Sequence, residues 1–194
     1  MSNKLKKKKN YNSHVRAIKQ CHAQNVRNKQ VTDSCINEIF KSLQMANLYI
    51  LYLEFDYSKQ QIKNFNKRLH ERCAEYKDDG STMEEMKKKH LNIGFDCTKE
   101  AVNFPYRVRR KMVDSRIVSM SDHMHLIAST NVAIETFLVL TLDVLRYDRR
   151  LSGADIKFWW EKYLEFAQLY ADGLTDKHVE QYFDLECKLE FAEV

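Results

Sequence analysis

The segment "DHMHLIASTNVAIETFLVLTLDVLR", residues 122–146, decides the fold class of this chain. Its apolar residues recur at the helical spacings of three, four and seven positions: Leu126, Ile127, Ile134, Phe137, Leu138, Val144 and Leu145. This periodicity predicts one long amphipathic helix, and its breadth marks it as the strongest core helix of the chain. Glu135 and Asp143 interrupt the apolar run, so we expect it to be too short to span a bilayer.

The composition around this segment favours helices throughout. Among 194 residues there are only four glycines and one proline. Sheets need many turns, and turns are rich in glycine and proline. The low content of both residues therefore predicts few turns and long helices. Apolar stripes at helical spacing elsewhere in the chain support the same interpretation. We therefore predict an all-α fold, an irregular helical bundle of about seven to eight helices.

Several helix ends are marked by local signals. Ser58 with Gln61, and Ser152 with Asp155, have the spacing of a capping box at a helix start. Gly173 is placed to close the helix that begins after Ser152, because glycine adopts the left-handed geometry of a helix C-terminus.

The charge of the chain is unevenly distributed. Residues 1–30 contain nine Lys or Arg and no acidic residue, whereas residues 152–194 contain four basic and ten acidic residues. Residues 1–12 have few apolar groups and are predicted to form a disordered basic arm. We expect residues 13–194 to form a single α-helical domain, with 152–194 an acidic helical hairpin at its C-terminal end. The basic arm contains one lysine run: Lys6, Lys7, Lys8 and Lys9.

The stretch "NFPYRVRRKMVDS", residues 103–115, carries the only proline and a second basic cluster. The residue before a proline avoids helical geometry, so Phe104 predicts a break and Pro105 the start of a new helix. If Val108 points inward, three cations share one outer flank and Arg109 lies opposite. These candidate residues for nucleic-acid or nucleoprotein binding are Arg107, Arg110 and Lys111, together with the lysine run of the arm.

The stretch "FWWEKYLEFAQLY", residues 158–170, offers a second candidate surface. Adjacent residues on a helix point about 100° apart, so one tryptophan of the pair can face the core while the other faces outward. An outward Trp160 beside Glu161 and Glu165 would make a protein-binding anchor. The alternative is that Trp160 packs on a neighbouring helix.

Motifs for catalysis, metal binding and nucleotide binding are missing from the sequence. There is no G-x-S-x-G and no phosphate-binding glycine loop, and His123 and His125 would face different directions on a helix. Five cysteines at wide spacing favour buried, unreactive thiols in a reducing compartment. We therefore expect a non-enzymatic cytoplasmic protein with no cofactor, no metal and no membrane association.

A resemblance covers about a quarter of the chain, at its C-terminal end. The pattern comprises Leu145-Arg146-Tyr147, Ile156, Phe158-Trp159, Phe166, Gly173-Leu174-Thr175 and Val179. It resembles the C-terminal part of small uncharacterised all-α proteins carried by phages and mobile elements of Firmicutes. This sequence departs from the pattern at Asp176, where such proteins often have an aromatic residue. The resemblance implies a phage setting, and no activity comes with it.

Two functions remain open at this point. The first is a binding protein that acts on a host protein or nucleoprotein complex, for example an inhibitor of a CRISPR–Cas effector. The second is a direct DNA- or RNA-binding protein, regulatory or packaging-related, that uses the basic arm and the 107–111 cluster. Salt-sensitive binding to free nucleic acid distinguishes the second from the first.

Overall fold

The computed structural model describes residues 36–37, 39–78, 81–114 and 120–183. Within these ranges the chain forms eight helices and no strand, which confirms the all-α prediction. In order they are α1 (residues 39–54), α2 (Lys59–Asp78), α3 (Ser81–Leu91), α4 (Cys97–Asn103), α5 (Tyr106–Asp114), α6 (Met120–Arg149), α7 (Gly153–Asp172) and α8 (Asp176–Tyr182). The predicted arm, with Lys6, Lys7, Lys8 and Lys9, lies outside the described residues.

Helix α6 lies at the centre of the bundle, as the sequence predicts. It packs against α2, α3, α4 and α5, and it contacts α1 through an edge-to-face pair of Phe40 and Phe137 at 5.5 Å. Nine of its described side chains are 1% exposed or less: Thr130, Ile134, Phe137, Leu138, Val139, Leu140, Thr141, Leu142 and Leu145. The apolar surface of this segment is broad because the helix is buried on several sides.

Helix α7 is fastened to α1 by two aromatic side chains one helical turn apart. Trp159 Nε1 donates to Asn47 Oδ1 at 2.9 Å, and the Tyr163 hydroxyl donates to the Leu43 carbonyl at 2.8 Å. All four residues are buried. Buried Trp and Tyr need a partner for their polar atom, and here α1 supplies both.

Helix α8 packs onto the same side of the bundle. Tyr182 and Phe183 contact the Tyr49 ring, with centroids 4.9 and 6.0 Å away. Val179 and Phe183 are buried, and an exposed ion pair joins Lys41 to Glu180 at 3.4 Å. The helical hairpin predicted from residue 152 onward is described as far as residue 183.

The predicted helix starts are confirmed. The Ser58 backbone N–H donates to Gln61 Oε1 at 2.8 Å, and the Gln61 N–H donates to Ser58 Oγ at 3.4 Å. The same reciprocal bonds join Ser152 and Asp155. Gly173 ends α7 with a φ of 128°, in the positive range where a side chain would be strained. Local sequence therefore sets these boundaries.

The expectation that the apolar run of α6 is too short to span a bilayer is wrong. The segment Ile127–Tyr147 is long and apolar enough to cross a membrane by length and composition, despite Glu135 and Asp143. However, 61% of its apolar 18-residue window is buried within the bundle, and the core helix of a soluble protein meets the same criterion. This single helix is therefore weak evidence for a membrane span.

The turn between α6 and α7 is packed tightly against the loop after α3. A Cβ at Gly153 would lie 2.9 Å from the Ile93 carbonyl oxygen, which is backbone and cannot rotate away. We expect Gly153→Ala to lower the free energy of unfolding by roughly 1–2 kcal/mol, measured by urea denaturation. Ala154→Ser, at the exposed next position, should change it by less than about 0.5 kcal/mol. Equal effects of the two substitutions would contradict the close approach.

Candidate binding surfaces on α5 and α7

Helix α5 begins where the proline predicts. Phe104 has the extended geometry of a residue before proline, with φ −55° and ψ 138°, and its side chain is buried. The Pro105 carbonyl accepts from the N–H groups of Val108 and Arg109, both at 3.1 Å. Because Pro105 has no N–H of its own to satisfy, it starts the helix without cost.

Packing of α5 fixes which side faces water. Val108 is 1% exposed, and Arg109 Nη1 donates to Asn131 Oδ1 of α6 at 2.6 Å. Arg107 and Arg110 are exposed, so Arg109 is set apart from them as predicted. The side chain of Lys111 lies outside the described residues, and its place on this flank stays a prediction. We call Tyr106, Arg107 and Arg110 the α5 flank.

The α5 flank combines an aromatic ring with two guanidinium groups. Tyr106 is 55% exposed. Residues three and four apart are neighbours on a helix surface, so Tyr106 lies next to Arg110, and Arg110 next to Arg107. Guanidinium groups bind phosphate and carboxylate through paired N–H donors, and an exposed ring can stack on a base. The flank is therefore equipped to contact nucleic acid or an acidic protein surface.

The prediction of an outward Trp160 is wrong. Trp160 is only 5% exposed, and its ring stacks on Tyr163 with centroids 5.4 Å apart and an interplanar angle of 19°. Its Nε1 donates to Glu100 Oε2 of α4 at 2.7 Å, and Phe104 packs against it at 6.0 Å. The corner between α4 and α5 covers this side of α7, so both tryptophans are in the core.

The exposed aromatic residue of α7 is instead Phe158. It is 42% exposed, its ring lies 5.8 Å from that of Phe55, and Lys162 Nζ lies 5.8 Å from its centroid. Glu161 and Glu165 are exposed, as the prediction of a protein-binding surface requires. We call Phe158, Glu161 and Glu165 the α7 face.

Local charge pairs shape the α7 face. Lys162 Nζ lies 2.9 Å from Glu165 Oε2, and this hydrogen bond raises the pKa of Lys162. The spacing i, i+3 and i+7 of Phe158, Glu161 and Glu165 places them on the side of α7 opposite Tyr163. The sequence analysis did not select Phe158, although this spacing was a signal that could have identified it.

Two of the five cysteines, Cys73 and Cys97, lie among the described residues. Cys97 is buried at the start of α4, and burial raises its thiol pKa to about 12, so it is an unreactive thiol as expected. Cys73 of α2 is half-buried. In the ranges described, no three His, Cys, Asp or Glu side chains are grouped to hold a metal ion.

Comparison with known proteins identifies no relative of this chain. No family model matches the chain, and neither the curated proteins nor the solved structures contain a significant match.

Proposed function

We propose that this chain is a non-enzymatic, phage-type binding protein that acts in the host cytoplasm on a nucleic-acid-handling complex. The observation that carries the proposal is the opposite character of two exposed helical surfaces. The α5 flank presents Arg107 and Arg110, while the α7 face presents Glu161 and Glu165. A nucleoprotein has both anionic and basic surfaces, so it offers a complement to each. Inhibition of a CRISPR–Cas effector would be one concrete form of this activity.

Rigidity of the α5 flank supports a binding role. Val108 and the Arg109–Asn131 hydrogen bond fix the helix on α6, so its exposed cations are presented on an ordered scaffold. Binding from an ordered helix avoids the entropy cost of ordering a loop. The α7 face is fixed in the same way, because Trp159 and Tyr163 fasten the opposite side of that helix to α1.

Direct binding to DNA or RNA is the second candidate function. The observation that favours it is the exposed Tyr106 beside Arg107 and Arg110, an arrangement that stacks on bases while neutralising phosphates. In this case Lys111 and the arm lysines would add sequence-independent affinity. The two functions differ in whether free nucleic acid is bound in the absence of protein.

A gel shift at two salt concentrations separates the two functions. Direct binding predicts that the wild-type chain shifts free duplex or single-stranded DNA or RNA, and that combined Arg107→Ala, Arg110→Ala and Lys111→Ala reduces the salt slope by about 3. Removal of three exposed lysines elsewhere, Lys99→Ala, Lys157→Ala and Lys177→Ala, makes the matched control. If the control triple weakens binding as much as the α5 triple, the α5 flank is not the site.

Co-purification with candidate nucleases, with and without guide RNA, tests the leading proposal. The wild-type chain is expected to hold a nucleoprotein but not free nucleic acid. The α5 triple or the α7 variant Phe158→Ala with Glu161→Lys and Glu165→Lys should weaken that complex at least tenfold, roughly the loss of one well-packed contact. Absence of a complex under every condition would refute the proposal.

A further inference from the structure

An exposed tyrosine at the end of α6 lies between two surface clefts. Tyr147 is 61% exposed, the largest exposed fraction among the large hydrophobic side chains described. It lines one cleft of about 270 Å³ and a second of about 220 Å³. Ligand sites are clefts lined by aromatic side chains and a few polar groups. An exposed aromatic ring that lines two clefts therefore suits a ligand site.

Three helices bring cations to this tyrosine. Arg72 of α2 places its guanidinium carbon 5.4 Å from the Tyr147 ring centroid. Lys89 of α3 and Arg146 of α6 line the smaller cleft. Arg146 Nη1 donates to the Lys89 backbone carbonyl at 3.3 Å, which fixes the two residues relative to each other.

Three acidic side chains line the two clefts; Asp143 and Glu75 pair with Arg72, and Glu71 lies 4.0 Å from Lys67. Asp143 is buried and lies 3.1 Å from Arg72 Nε, and Glu75 lies 2.6 Å from Arg72 Nη1. Burial raises the pKa of Asp143 even though Arg72, Lys89 and Arg146 favour its charged form. Arg72 therefore serves mainly to hold Tyr147 and offset Asp143. Lys89 and Arg146 give the smaller cleft its excess positive charge.

We propose that the Tyr147 cleft, formed by Tyr147, Lys89 and Arg146, binds a nucleoside phosphate. The base stacks on the Tyr147 ring, and the phosphate lies in the smaller cleft against Lys89 and Arg146. Stacking needs only an exposed π-face and tolerates any base, whereas the two cations select for the phosphate. The ligand is either a free nucleotide or one nucleotide of a single strand.

This site is separate from the α5 flank, and the inference does not depend on the proposed function. Asn131, which holds Arg109, precedes Tyr147 by sixteen residues on α6. Sixteen residues of helix correspond to about 24 Å of rise and about 160° of rotation. The two surfaces therefore lie at different heights and on nearly opposite sides of the central helix.

Calorimetric titration of the full-length chain tests the site. The probes are AMP, CMP, adenosine, inorganic phosphate and a single-stranded hexanucleotide. We expect Tyr147→Ala to weaken AMP and CMP binding roughly tenfold and Tyr147→Phe to retain it, because phenylalanine keeps the stacking ring. Lys89→Gln should weaken AMP but not adenosine, and Lys88→Gln, at the exposed neighbouring position, is the matched control.

Equal affinity for AMP and the hexanucleotide identifies a free-nucleotide site, and much tighter binding of the hexanucleotide identifies a single-strand site; both support the proposal. The proposal is overturned if no nucleotide binds at millimolar concentration, if phosphate alone binds as tightly as AMP, or if Tyr147→Ala has no effect. Tyr147 is exposed, so circular dichroism should show an intact fold in its variants, and loss of that fold would itself overturn the assignment of Tyr147 to a surface site.

Discussion

Replacing Trp159 with alanine is expected to lower the free energy of unfolding by about 4 kcal/mol. The side chain is 0% exposed and packs against Trp160 and Tyr163 at 5.8 and 5.5 Å. Its removal leaves a large cavity between α1 and α7, and a domain of this kind has only about 5–15 kcal/mol of stability in total. The midpoint of urea unfolding measures the loss, and Lys157→Ala on the exposed side of α7 is the control.

A double-mutant cycle isolates the polar part of this contact. Trp159→Phe keeps most of the packing but leaves Asn47 Oδ1 without its donor, at a cost of about 2 kcal/mol. Asn47→Leu alone strands the indole N–H in the same way. The double variant removes both polar atoms and should be more stable than the sum of the single effects predicts, by about 1–2 kcal/mol. Additive effects would show that the hydrogen bond contributes nothing beyond packing.

Between pH 7 and pH 5 the protein is expected to lose about 2 kcal/mol of stability through His90 alone. His90 is 1% exposed, and its Nε2 donates to the Val139 carbonyl of α6 at 3.1 Å. The pKa of His90 is lowered from 6.5 to about 4, mainly by burial and to a smaller extent by the positive charges of Arg146 and Lys89. Between about pH 6.5 and pH 4, His90 is therefore protonated in the unfolded chain but remains neutral in the folded chain. The free energy of unfolding falls as the pH falls through this range.

The variant His90→Leu is expected to remove this part of the pH dependence. Leucine has no titratable group, so the unfolding free energy of this variant should differ less between pH 7 and pH 5 than that of the wild type. His70→Leu, which removes an exposed imidazole, is the control and should retain the wild-type difference. Asp143 acts in the opposite direction in acid, because burial raises its pKa and the folded state binds its proton first. A wild-type profile in His90→Leu would contradict the assignment.

Features set by neighbouring residues were predictable from the sequence. The Ser58–Gln61 and Ser152–Asp155 boxes join atoms three residues apart, so their spacing alone indicates a helix start. Pro105 acts on the residue beside it, which is why the break at Phe104 was also visible. The central position of α6 followed from the breadth of its apolar surface.

Features that depend on distant residues were not predictable. Whether Trp160 faces water depends on Glu100 and Phe104, which lie 60 and 56 positions earlier. The periodicity of α7 shows that two adjacent tryptophans diverge, but it does not show that α4 covers the second of them. Asn47 meets Trp159 across 112 residues, and a single sequence contains no record of that pairing.

The candidate surfaces divide in the same way. The α5 flank lies within one helix, so helical spacing placed Arg107, Arg110 and Arg109 correctly. The Tyr147 cleft combines side chains of α2, α3 and α6, and its residues are far apart in the chain. Such a site becomes visible only when the helices are assembled.

The polar side chains of α6 have a consequence for the way the chain is synthesised. Asp143 pairs with Arg72, Glu135 pairs with Lys87 at 2.9 Å, and Asn131 accepts from Arg109. Each of these partners precedes α6, so a ribosome has already made all three cations when the core helix emerges. Helix α6 therefore leaves the exit tunnel after its three partners have left it. That order favours docking onto the earlier helices over capture of this apolar segment by a membrane.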